Sequence, residues 1–215
     1  MHIPDGFLNV ATTAASWAGA VGGVGYGVHR VKRELSERLV PLMGVTAAFI
    51  FAAQMLNFTV AGGTSGHLLG GALAMLLLGP WAGSIVITAV LVVQALVFQD
   101  GGVLALGANI LNMAVVGVWA SYGVYRLLQR LLGARAWGRT TATFVAAWCS
   151  VVLSSLVAAS ELALSGVSPW ALVVPAMVGV HMLIGIGEGL ITVAVASFVR
   201  GVRPDLLSLR AETGA

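Results

Sequence analysis

Charge is what this chain has least of. Only 9% of its 215 residues are Asp, Glu, Lys or Arg, against about 25% in a soluble domain. With 59% hydrophobic residues and a mean hydropathy of +0.97, that scarcity excludes a soluble protein and points to an integral membrane protein. The length suits one membrane-embedded domain over residues 1–215, with no room for a large soluble one. Cysteine is nearly absent: the single Cys149 excludes an internal disulfide framework and a multi-cysteine metal site. Lys32 is the only lysine and there is no G-x-x-x-x-G-K-[ST] loop, so the chain is not its own ATPase by that route. There is no H-E-x-x-H metalloprotease motif, and no internal repeat of the kind seen in many carriers. A signal peptide is not expected either. The opening string MHIPDGFL puts a histidine, a proline and Asp5 where a basic n-region belongs, and no Lys or Arg precedes Arg30. The amino terminus is therefore expected to be retained.

What is present is a series of apolar runs. A helix needs about 20 residues to cross hydrocarbon, fewer if it is short or re-entrant. Seven runs are read as spans: Val10–Val28, Pro41–Val60, a short Gly66–Leu78, Trp81–Phe98, Val103–Leu128, Thr140–Leu164 and Pro169–Val199. Gly-rich AGGTSG and QDGG connections separate the second from the third and the fourth from the fifth, with a tight break at Gly79-Pro80. The expected fold is an all-α integral membrane protein of seven transmembrane helices.

The basic residues fall in three places. Arg30, Lys32, Arg33 and Arg38 follow the first run, Arg126, Arg130, Arg135 and Arg139 surround the fifth–sixth connection, and Arg200, Arg203 and Arg210 follow the seventh. Seven spans put all three on one side, which the positive-inside rule makes cytoplasmic. The N-terminus then lies outside, and residues 200–215 form a cytoplasmic tail. The pI of 9.6 is thus a topology signal and not a nucleic-acid footprint.

This topology gathers His2, Asp5, His67, Asp100 and Asn109 at the outer face. A free Met1 amine, the His2 amide nitrogen and the His2 imidazole Nδ1 can close two small chelate rings on one metal, making residues 1–9 a metal-chelating segment. Three nitrogens in a plane suit Ni(II) or Cu(II) better than tetrahedral Zn(II), while Mg(II) and Ca(II) prefer oxygen. His67, expected at the start of the short third helix, can fill the fourth corner. Asp5 and Asp100 are the carboxylates expected in the outer loops, and such acids orient metal-bound imidazoles. The residues alone leave a plainer alternative open, a solvated His2 and a helix-end His67.

The strings MHIPDGFL, AGGTSGHLLGG (Ala61–Gly71) and VVQALVFQDGGVLALGANILNM (Val92–Met113) resemble the CbiM/NikM family, the substrate-binding (S) components of energy-coupling-factor (ECF) transporters for cobalt and nickel. The resemblance covers nearly the whole chain. It implies an S-component helical core with an extra N-terminal helix, in a prokaryotic cell membrane. It implies metal coordination by the Met1 amine, the His2 amide and imidazole, and the His67 imidazole. Ser65, Gln99, Asp100 and Asn109, within the matching segments, are candidates with Asp5 for closing over the site. The resemblance implies Ni(II) or Co(II) as the transported substrate, with no organic cofactor. The partners implied are a transmembrane scaffold (T component), ABC-type ATPase subunits and a small accessory membrane subunit, with no nucleic acid.

His181 and Glu188 lie seven apart in the last run, on about one helical face. Ionisable residues at that depth are functional candidates, and the flanking glycines equally suit hydrogen bonds that join helices. The first run carries a row of small residues four apart, Ala11, Ala15, Gly19, Gly23 and Gly27, with Ala14, Ala18 and Gly22 alongside. Such a row serves internal packing or docking to a partner. Two rival functions remain: an intramembrane metalloenzyme using His67, Asp100, His181 and Glu188, and a self-sufficient secondary metal carrier. The preferred reading is a transport component, not an enzyme.

Overall fold

The computed structural model describes residues 1–33, 39–56, 58–60, 64–133 and 135–207, with side chains described for all but 58–60, 64 and 65. Arg38, Arg210, the last eight residues of the tail and the Ser65 side chain therefore lie outside the described residues.

The chain folds as a helical bundle with one short hairpin. Its helices are α1 (Val10–Val31), α2 (Leu39–Gln54), α3 (Gly71–Val97), α4 (Leu106–Asn109), α5 (Val118–Leu132), α6 (Ala136–Leu164) and α7 (Trp170–Val202). A π-helical stretch, Ile110–Gly117, joins α4 to α5. Three helices, α3, α6 and α7, are long and apolar enough to cross a membrane, and α2 is a shorter apolar helix. The side-chain distribution agrees with a lipid setting. Val21, Leu183, Leu190 and Phe198 stand at least 60% exposed, while Ser16, Gln54, Gln94, Asn109, Asn112, Glu161, His181 and Glu188 are buried. Such an apolar belt suits lipid rather than water.

Several boundaries differ from the sequence reading. The second run stops being helical at Gln54, and Phe58–Val60 is instead a strand (β1) paired antiparallel with Thr64–Gly66 (β2). The helix expected from Gly66 begins at Gly71, so His67 lies in the loop ahead of it rather than at its first residue. The first helical turn of the fifth run opens at Leu106, not Val103.

The Gly79-Pro80 break is a chain reversal. Gly79 adopts φ +79 and ψ 169 within α3, a conformation open to glycine and strained for other residues. A Cβ on Gly83 would sit 3.2 Å from the backbone of Ala74. Nine residues of straight helix would separate these by roughly 13 Å, so the arms 71–78 and 80–97 fold against each other.

The three glycines of the small-residue row of α1 pack internally, while Ala11 and Ala15 are exposed. Gly19 faces Leu111, Gly23 faces Val115 and Gly27 faces Trp81, all near van der Waals contact. Ala14, Ala18 and Gly22 alongside stay exposed. Ser154 and Ser150 of α6 donate to the Asn112 and Gly117 carbonyls of the π-helical stretch, both at 2.8 Å. Helix geometry frees such carbonyls at a π-bulge, and buried ones need a donor. Glu161 of α6 accepts from Ser16 of α1 (2.7 Å) and from Asn112 (2.6 Å), tying three elements together.

Candidate metal centre

The N-terminal segment threads into the bundle. Met1 is 1% exposed, His2 4% and Ile3 0%, so residues near a chain end are held as core residues. Asn109 holds Ile3 from both sides: its Oδ1 accepts from the Ile3 N–H at 2.8 Å and its Nδ2 donates to the Ile3 carbonyl at 3.1 Å. Gly102 N–H donates to the same carbonyl at 2.9 Å. Asp5 is an anchor. Its carboxylate accepts from the N–H groups of Val103, Leu104 and Ala105 at 2.8–3.1 Å, just ahead of α4. A carboxylate receiving three backbone donors at a helix start is well satisfied, so Asp5 positions the segment and does not orient an imidazole. Asn9 closes the segment by accepting from Thr12 N–H at 2.8 Å at the start of α1, and its Nδ2 donates to Leu164 O at 3.0 Å.

The QDGG turn fits around this segment because of its glycines. Gly101 has φ +97, and a Cβ there would lie 3.3 Å from His2 Cβ. A Cβ on Gly102 would overlap the Asp5 carboxylate. Gln99 takes the left-handed φ of +56 and its side chain is exposed. It turns the chain where the loop closes beside His2.

His2 sits between two polar partners. Its Nε2 lies 3.2 Å from Gln94 Oε1 and its Nδ1 lies 3.2 Å from Asp100 Oδ1. The Nδ1 contact lacks hydrogen-bond geometry. With Nε2–H given to Gln94, the Nδ1 lone pair and a carboxylate oxygen face each other, an arrangement that a cation or a proton relieves. Gln94, in the long arm of α3 and 0% exposed, was not among the expected site residues. Its sequence signal was a lone amide inside an apolar run.

The His67 ring stacks on His2 with centroids 4.5 Å apart and 16° between planes. Its Nδ1–H donates to Leu68 O at 2.8 Å, and its buried Nε2 has no hydrogen-bond partner. The loop that carries it is pinned from two sides. Glu188 of α7 accepts from the N–H groups of Leu69 (2.6 Å) and Gly70 (2.8 Å), and Gln54 Nε2 of α2 donates to Leu69 O at 2.6 Å. Glu188 thus ties α7 to the loop ahead of α3. His181 is fully buried on the same face of α7.

Burial sets the protonation of the donors. It lowers the Met1 amine to about 4, with Asp100 opposing. Burial also lowers His2, with Asp100 opposing. His67 falls well below its ordinary value through burial, then through the Met1 amine and His2 charges. Near neutral pH burial therefore favours the uncharged form of all three groups. Among the described residues no three His, Cys, Asp or Glu side chains form a metal cluster. Met1 adds donors that such a count of side chains does not include: its amine, and the amide that follows it.

Residues 2–206 match the CbiM family, the cobalt uptake substrate-specific transmembrane region. The chain belongs to that family. This CbiM-family chain is 34% identical to a fused nickel transport protein NikMN of Rhodobacter capsulatus, covering 98% of the chain and 65% of that longer protein. It is 31% identical to a cobalt transport protein CbiM of Sorangium cellulosum, covering 96% of the chain and 94% of that protein. A crystal structure of a transition metal transporter matches with a TM-score of 0.87 at 34% identity, over 94% of this chain and 93% of that one. As a member of this family with long apolar helices, the chain is a multi-pass protein of the cell membrane.

Proposed function

We propose that the chain is the substrate-binding membrane component of an ATP-driven ECF-type transporter that takes up nickel or cobalt. The observation that carries this reading is the burial of Met1 and His2 against His67, with the donor nitrogens uncharged near neutral pH. In this reading Ni(II) or Co(II) is held by the Met1 amine, the deprotonated His2 amide, His2 Nδ1 and His67 Nε2. Ni(II) can displace an amide proton and gains a strong planar field from four nitrogens, which Mg(II) and Ca(II) do not. Asp100 offsets the positive charge of the loaded site.

The reading has seven spans, the two arms of α3 counting separately, with the N-terminus outside. The described basic residues at the ends of α1, α5 and α7 and the start of α6 support that orientation by the positive-inside rule. Residues 1–9 are the chelating segment and residues 200–215 the cytoplasmic tail. Energy comes from separate ABC-type ATPase subunits acting through a membrane scaffold, with a small accessory subunit. The names of the nickel and cobalt transport relatives support this substrate class.

The test is metal titration of untagged protein against His67→Ala and against a chain with one residue added before Met1. Both changes abolish high-affinity Ni(II) binding in this reading, and wild-type loading carries the absorption of planar low-spin Ni(II). Wild-type affinity in both variants overturns it.

A further inference from the structure

His181 is a buried histidine that the four-nitrogen plane does not use. It is 0% exposed in α7. Its Nδ1–H donates to the Met177 carbonyl one turn back at 2.7 Å, and its Nε2 has no hydrogen-bond partner. A histidine that merely joins helices bonds to a neighbouring helix, whereas this one bonds to its own. One ring nitrogen on a backbone carbonyl, with the other left bare, is how proteins orient metal-binding imidazoles. His67 has the same arrangement through Leu68 O.

Leu68, the residue after His67, lines one cavity with Val180 and Ile184, on either side of His181 in α7. His67 feels the charge of the Met1 amine, of His2 and of His181, and the Met1 amine acts on His181 as well. Seven residues along the same face of α7, Glu188 holds the loop that carries His67. His67 is thus common to the N-terminal chelate and to His181.

We infer that His181 Nε2 and His67 Nε2 form a second metal position, which takes the ion while the Met1–His2 chelate opens or closes. This rests on the chelate proposed above. A planar four-nitrogen site exchanges its ion by accepting an entering donor before losing an old one. The His181 lone pair enters, the bonds from the metal to the Met1 and His2 nitrogens break, and the His2 amide regains a proton from water. No electron changes hands, and water completes the shell around a divalent late first-row ion, for which imidazole is a suitable ligand.

Two measurements test it. In the chain with one residue added before Met1, titration with Co(II) alone gives a weak site with d–d absorption, lost in His181→Gln and in His67→Gln. With the native N-terminus, His181→Gln keeps the Ni(II) affinity within about threefold and slows release to a chelator by roughly tenfold or more. His181→Asn, with a shorter amide, behaves alike. Absence of the weak site from the extended chain, its survival in His181→Gln, or an unchanged release rate overturns the inference. Binding by the extended chain as tight as wild type instead overturns the chelate itself, and the affinity separates the two failures.

Discussion

The imidazoles of His2 and His67 lie face to face, 4.5 Å between centroids and 16° from parallel. Two imidazolium rings would repel at that distance, so the stack depends on burial keeping both neutral. His67→Ala removes one donor and the wall against which His2 rests. It is expected to lower Ni(II) affinity by more than about 100-fold, beyond the 10–100-fold typical of residues that only support a ligand. Equilibrium titration in a weakly chelating buffer reads this directly.

Asn109 determines how far the N-terminal segment enters. Asn109→Leu leaves the buried Ile3 N–H and carbonyl without their side-chain partner, at a cost of roughly 1–3 kcal/mol for each group left unsatisfied. The helices should survive, and metal affinity should fall about 10- to 100-fold. Isothermal titration together with helical content by circular dichroism separates these effects. A loss of helicity equal to the loss of binding would assign Asn109 to the fold alone.

Glu188 acts through His67. Glu188→Ala removes two buried hydrogen bonds to the Leu69 and Gly70 amides, each worth roughly 0.5–1.5 kcal/mol. Glu188→Gln keeps one acceptor oxygen and should recover part of the binding that Glu188→Ala loses. Metal affinity across the three forms should therefore rank Glu, Gln, Ala. Equal affinity in all three would mean that the loop keeps its place without α7.

The pH dependence follows from the buried nitrogens. The Met1 amine titrates near 8.0 when exposed and about 4 when buried, and both site histidines are lowered too. The open segment therefore binds more protons than the docked one. Docking is complete above the exposed value and weakens as pH falls from about 8 towards 4. With amine and imidazoles already neutral near pH 7, metal binding should release about one proton, that of the His2 amide. Calorimetry in buffers of different ionisation enthalpy counts it, and release of two or more would show that the amine is still charged before loading.

The glycines of the QDGG turn give a stability test. Gly102→Ala places a methyl in the Asp5 carboxylate and should dislodge the contacts that Asp5 makes with residues 103–105, costing about 1–3 kcal/mol. Protease sensitivity of the N-terminal segment should rise together with weaker metal binding.

Much of this was legible in the residues. Positive charges do not lie in hydrocarbon, so the described basic residues fall at the ends of α1, α5 and α7 and the start of α6, as their clustering in the sequence suggested. Met1, His2 and His67 were legible as a candidate donor set, and the structure buries all three and stacks the two imidazoles. The end of α2 was not legible, because Phe58–Val60 continues the apolar composition into a strand. The π-helical stretch was hidden, since Ile110–Gly117 reads as any apolar helix and its wider turn is sustained by serines some 40 residues away. Asp5 looked like an acid for an imidazole but serves three backbone amides. Gln94 was only a lone amide in an apolar run, and its contact with His2 appears once the chain is folded.

That fold-back gives the metal centre a remote handle. The short arm of α3 begins just after His67, and the long arm ends near Gln94 and Asp100, so one folded prong carries both sides of the His2 pocket. Its bend, Gly79–Trp81, lies roughly 25 Å away along the long arm, beside Gly27 near the basic end of α1. The bend and the metal centre are thus opposite ends of a single folded element, joined by unequal arms, 71–78 and 80–97.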